Sequence, residues 1–287
     1  MRIPASNPQS SSPLLPVWFT VPLCLLTSIL LTMLLSILVY MSFGIFSWNY
    51  PFLLQLALNL AMLLSVLGGA VLFLRYLDRR PITDMGLSFK GRMPDVLLAI
   101  GFAVLLYVIG FGVTLLLGSV KIISVHFDGG MLIGSFVLFI IAALGEEIML
   151  RGYMLSRLMS YMNKFVALFV SSIVFALLHI FNPNVDLLSI LNIFLAGLLL
   201  GSAFMYTHNL SFSLVLHIFW NWLQGSVLGF EVSGTSFGSS LLTLKLSDQR
   251  LLNGGDFGFE GSIICTALLI LATMSIIYFF ERKKQIQ

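Results

Sequence analysis

The chain has 287 residues, of which 59% are hydrophobic and only 9% charged, and its mean hydropathy is +1.02. That balance excludes an ordinary water-soluble domain and points to helices crossing a bilayer. The net charge of +3 is small and unevenly placed, so it serves membrane topology and is no nucleic-acid footprint; no nucleic-acid partner is expected.

In chain order, the first 16 residues are polar and rich in Ser and Pro, and a disordered tail is expected there. Residues 17–287 read as a single membrane domain. The apolar run that opens this domain is longer than a signal-peptide core of about 7–15 residues, so it reads as an uncleaved first span. Pro22 near its start is tolerated. Hydropathy gives eight candidate spans at 17–45, 52–77, 95–118, 131–158, 164–181, 186–206, 210–229 and 261–280. Breakers stand between them: Trp48-Asn49-Tyr50-Pro51, Pro81, Pro94, Gly129-Gly130, Asn182-Pro183-Asn184 and His208-Asn209. The expected fold class is all-α, a polytopic membrane protein with about eight transmembrane helices.

Basic residues test this count. With the N-terminus inside and eight crossings, the inside segments hold Arg2, Arg75, Arg79, Arg80, Lys90, Arg92, Arg151, Arg157, Lys164, Arg282, Lys283 and Lys284. Only Lys121, Lys245 and Arg250 fall outside, so both termini are expected in the cytoplasm. The one long outside loop, Glu231 to Glu260, is rich in Gly and Ser and is expected to cover part of the extracytoplasmic face. Cys24 and Cys265 fall near opposite faces in this topology, out of disulfide reach, and read as small packing residues. Gly197 and Gly201 form a small-xxx-small pair of the kind that lets helices approach closely.

Against this apolar background, Glu146, Glu147 and Arg151 share one span, while His179 and His217 sit in two others. An ionisable group at the centre of a membrane helix costs roughly 2.5–3.5 kcal/mol or more, so such groups read as a reactive site. The fourth and fifth spans should form an antiparallel hairpin turning near Tyr161-Met162-Asn163. Glu146 and His179 are each about 25 Å from that turn at 1.5 Å per residue, which puts them at one level. Glu147 and Arg151 are four apart and can pair on one face. Glu146 is rotated by about 100° from Glu147 and remains free for chemistry. His217 and Asn221, also four apart, share a face of the seventh span.

Those groups suit hydrolysis. A carboxylate beside a neutral imidazole, Glu146 with His179, can hold and deprotonate a water. His217 and Asn221 can donate hydrogen bonds to a developing oxyanion. A zinc ion on His179, His217 and Glu146 is the other route to an activated water. The His-Glu-x-x-His motif is absent, so zinc and no cofactor both stand at this point. His126 and His208 fall in or near loops and read as having no catalytic role.

Three patterns then stand out in order. Glu146-Glu147-Ile148-Met149-Leu150-Arg151 matches Glu-Glu-x-x-x-Arg, Phe175-Ala176-Leu177-Leu178-His179 matches Phe-x-x-x-His, and His217-Ile218-Phe219-Trp220-Asn221 matches His-x-x-x-Asn. Over about residues 130–230 the chain thus resembles the CAAX-protease and bacteriocin-processing (CPBP) family of intramembrane endopeptidases, which includes the type II CAAX prenyl endopeptidases. The resemblance implies an eight-helix membrane fold with a site opening to the cytoplasmic half. It implies peptide-bond hydrolysis, with Glu146 and His179 activating water, His217 and Asn221 at the oxyanion, and Glu147 and Arg151 at motif positions. Members are described both as metalloproteases and as glutamate-dependent enzymes. Their substrates are peptides or proteins, some lipidated, and a bacterial plasma membrane is the expected setting. The competing reading is a non-enzymatic transporter or scaffold that keeps the polar cluster for binding. No internal repeat of the kind found in many transporters is evident, and all six motif groups are present. No Gly-x-Ser-x-Gly motif or paired intramembrane Asp supports another protease class, and Asp256-Phe257-Gly258 stands without any other kinase element.

Overall fold

The structure, a computed structural model, describes residues 13–46 and 50–286, with side chains as far as Lys283. Expectations that fall on residues 1–12, on Trp48 and Asn49, and on the Lys284 side chain lie outside the described residues.

The helices follow the hydropathy runs. Those of 12 residues or more are α1 (Val17–Ile45), α2 (Pro51–Leu72), α3 (Met93–Leu116), α4 (Gly129–Glu147), α5 (Lys164–Leu178), α6 (Leu187–Thr207), α7 (Ser211–Trp222) and α8 (Ile263–Ile286). Local chemistry sets several starts. Pro51 and Pro94 occupy first-turn positions, where a missing N–H costs nothing. Asp128, Asn163 and Asp186 cap α4, α5 and α6 by accepting from Met131 N (3.0 Å), Phe165 N (2.9 Å) and Ser189 N (2.7 Å). The expected turn between the fourth and fifth spans is present between Leu158 and Lys164.

Among the described residues, six helices are long and apolar enough to cross a membrane; they start at Val17, Pro51, Met93, Gly129, Leu187 and Ile263. The two other expected spans are helical but shorter. α5 has 15 residues, and α7 has 12 before a π-helical turn, Leu223–Val227. Burial explains why α7 is short. Nine of its residues are buried, because it lies between two apolar clusters: Leu214 and Ile218 join one, while Val215, Leu216 and Trp220 join the other. A helix so enclosed meets little lipid, and it can carry polar groups that a lipid-facing span could not.

Both described ends of the chain lie at one end of the bundle. Leu14 N–H donates to Leu77 O (2.8 Å), the Trp18 and Tyr161 rings meet edge to face at 6.4 Å, and Glu281 holds both Lys164 and Tyr206 at 2.6 Å. Arg157 and Arg151, counted above as inside charges, are instead buried in the bundle at 1% exposure each. Arg157 is neutralised by Asp78 at 2.7 Å, and the second Asp78 oxygen accepts from the Tyr153 hydroxyl at 3.0 Å.

At the opposite end is a feature absent from the sequence expectation. β1 (Val120–Val125) pairs antiparallel with β2 (Leu242–Leu246), from Val120↔Leu246 to Val125↔Leu242. An irregularity between Ile122 and Ser124 admits one extra residue on β1. The loop from Leu228 to Ser262 is therefore built structure. Asn253 ties it down by donating to Ser119 O (3.0 Å) and Ser247 O (2.9 Å).

Candidate active site

α5 ends early, and its end makes the first site residue. The His179 N–H bonds back three residues to Ala176 O, so Phe175 O loses its helical partner. The His179 ring replaces that partner, with Nδ1 2.7 Å from Phe175 O. A carbonyl only accepts, so Nδ1 carries the proton and Nε2 is left with its lone pair. His217 is fixed the same way: Nδ1 lies 3.0 Å from Glu147 Oε1 and donates to it, leaving Nε2 to point onward.

Both free nitrogens face one atom. Glu146 Oε2 is 3.9 Å from His179 Nε2 and 3.8 Å from His217 Nε2. It is buried and has no hydrogen-bond partner. The two acids divide as their helical angle implied. The Glu147 side chain is 0% exposed and Arg151 Nη1 holds it at 2.7 Å, whereas Glu146 is 29% exposed toward the cavity. Glu147 has a second task beyond pairing with Arg151, since it also orients His217. Immediately after it the chain runs as a π-helix from Ile148 to Leu155. Widened turns of this kind recur beside functional groups.

Glu146, His179, His217 and Asn221 line one cavity of about 420 Å³. Among the described residues the Asn221 side chain has no intramolecular hydrogen bond, so its amide is available to a guest. Glu147 and Arg151 stand behind this wall. Arg151 also donates to Gly197 O (3.3 Å) and lies 4.5 Å over the Phe175 ring. Phe175 in turn packs on His179 and His217, with centroids 4.7 and 6.2 Å away. The structure therefore brings all six expected residues together, four at the cavity and two as their support.

The cavity extends toward the sheet end. Asn182, Ser233, Thr235 and Phe237 line it, and no residue of the 78–92 loop at the opposite, terminal end does. At the terminal end Met85 is fully buried against Gly152 and Leu210.

A tetrahedral zinc with bonds of about 2.0–2.1 Å sets its ligand atoms about 3.3 Å apart. At the 3.8 and 3.9 Å found here, one ion would need Glu–Zn–His angles of about 140° to touch these atoms. Among the described residues no group of three or more His, Cys, Asp or Glu side chains is set to hold a metal ion. This arrangement does not fit zinc, and no step below runs through one. A water at about 2.8 Å from each atom does bridge such pairs.

The family model for Type II CAAX prenyl endopeptidase Rce1-like proteins matches residues 128–223, the stretch that holds all six groups. Over this stretch the chain is similar to the CAAX protease family. No curated protein matches the chain. Its six long apolar helices make it an integral membrane protein, and the matched segment starts at the Asp128 cap of α4 and ends with α7. The first three helices, both strands and α8 lie beyond the match. Two contributors to this cavity were missed in the sequence. Trp220 lay unremarked inside the third pattern, and Glu260 gave no signal because it closes a Gly/Ser-rich loop expected to cover the extracytoplasmic face.

Proposed function

We propose that this protein hydrolyses a peptide bond within the membrane, using a water held by Glu146 and His179. One observation carries the reading: a partnerless carboxylate oxygen faced by two histidine nitrogens whose other protons are already committed.

Proton counting favours one assignment of roles. With both histidines neutral, Glu146 Oε2, His179 Nε2 and His217 Nε2 are three acceptors. A single water supplies only two protons, so the cluster is satisfied when it holds one more. Placed on His217, that proton leaves Nε2–H free to donate while Nδ1–H stays on Glu147. His217 then serves the oxyanion beside the Asn221 amide. The water oxygen attacks the scissile carbonyl carbon as Glu146 takes the water proton. The C–N bond breaks on collapse of the tetrahedral species, and the same proton passes from Glu146 to the leaving amine.

The substrate we assign is a peptide or protein segment with a strongly apolar portion, in keeping with the prenyl-endopeptidase family. Leu25, Ile29, Met33, Met62 and Val66 give that portion a wall to lie on. By the basic excess at the terminal end we place both termini in the cytoplasm, with a bacterial plasma membrane as the setting. The test is cleavage of a prenylated peptide library by purified protein, with and without chelator. Glu146→Gln should abolish cleavage at unchanged melting temperature, and the wild-type rate should survive chelation. Turnover by Glu146→Gln equal to wild type overturns the assignment, and loss of wild-type activity on chelation that zinc restores moves the water onto a metal.

A further inference from the structure

The wall of the cavity at the sheet end is a tight turn. Val232 and Thr235 exchange backbone bonds at 3.0 and 2.9 Å, and the two residues between them, Ser233 and Gly234, have φ of +48° and +79°. Two left-handed residues in a two-residue loop match the twist of a hairpin. The position is easy for Gly and unfavourable for Ser. Gly234 is also required for space, since a Cβ there would strike Pro183 O.

Glu260 holds this turn in place. Its Oε2 accepts from both the Ser233 N–H and the Ser233 hydroxyl, each at 2.8 Å, and its Oε1 accepts from Trp220 Nε1–H at 3.0 Å. Trp220 lies between His217 and Asn221 on α7, so one carboxylate bonds both the turn and the helix that carries two site residues. Asn182, three residues after His179, adds a bond from its amide to Ser233 O at 3.0 Å. Glu260 is 5% exposed, and no cation pairs with it among the described residues. A buried carboxylate satisfied wholly by neutral donors is costly to keep for packing alone. These donors come from the two structures that enclose the cavity.

We propose that Glu260 is a positioning residue, latching the Val232–Phe237 turn into the cavity mouth as the wall that receives the substrate peptide. The proposal rests on the protease reading above. Thr235 and Phe237 present the receiving surface, and the helix carrying His217 and Asn221 is referenced to it through Trp220.

Two readouts test it on the full chain. Glu260→Gln preserves size but turns an amide NH2 toward donors, so at least one latch bond is lost. In a Thr235→Cys background, maleimide labelling should then quicken by about fivefold, the population shift worth one hydrogen bond. Background labelling is low because Cys24 and Cys265 are buried. With residue 235 unaltered, Glu260→Gln should raise KM for the cleaved peptide by about fivefold while kcat stays within about twofold, and Glu260→Asp should recover part of the KM. Unchanged labelling, or a fall in kcat at unchanged KM, overturns the latch. If Glu260→Gln does not fold, Ser233→Ala removes one bond and should shift both readouts in the same direction; flat readouts again overturn it. A chain that cleaves nothing in any form refutes the protease reading, while the labelling still decides on the latch.

Discussion

Arg151 shows how a single side chain can be both a liability and a fixture. It is 1% exposed, and Glu147, Gly197 O and the Phe175 ring share its charge. Removing it takes from the buried Glu147 its guanidinium partner and leaves only the weaker support of His217. The expected penalty for one abandoned partner of a buried pair is about 3–5 kcal/mol. Arg151→Met should therefore lower thermal stability in detergent more than the double variant Glu147→Gln/Arg151→Met does. Equal losses would show that the pair is not what holds the site. At this scale the sequence was informative, because charge is so rare in the apolar runs that Glu146, Glu147, Arg151, His179 and His217 could be selected without coordinates. Glu260 could not be selected that way. In a polar loop a glutamate carries no signal, and its meaning comes from Ser233 and Trp220, which reach it only through the fold.

At the scale of elements, the contact between α5 and α6 decides where His179 stands. An added methyl group at Gly197 would lie 2.9 Å from Ser172 Cβ and 3.0 Å from its Cα, so backbone must give way. At Gly201 the nearest neighbour is instead the tip of Leu168, which can rotate. Gly197→Ala should destabilise by about 1–3 kcal/mol, as overpacking does, and should reduce cleavage by moving His179. Gly201→Ala should do markedly less on both counts. A paired melting and rate measurement checks the contrast, and equal effects would argue against Gly197 as the tight point. Long apolar runs made the helices legible, since hydropathy reports lipid contact directly. The π-helical stretches and β1–β2 were not legible. A widened turn has no compositional mark, and Val120 finds its partner, Leu246, in a distant part of the chain.

For the whole molecule, the sheet-end cap has its own response to pH. Burial, with Asp256 adding to it, raises the Glu231 carboxyl above its ordinary value, and its Oε2 is buried without a partner. A carboxyl whose folded pKa is raised favours the folded state while protonated. Its contribution is therefore present at low pH and is lost as pH rises from the ordinary glutamate range through the raised value. The cap should loosen over that interval, and Glu231→Gln should flatten the change. Hydrogen exchange of the 228–262 segment against pH measures it. A wild-type profile that is level, or that slopes the other way, refutes the assignment.

The order of residues along the chain adds a consequence for biosynthesis. Every group in the proposed reaction lies between Glu146 and Asn221, whereas the turn and its latch are drawn from Val232 to Glu260. A ribosome releases the chemical machinery first and its cover afterwards. A chain truncated just short of Val232 would thus carry the acid, both imidazoles and the amide with no roof above them.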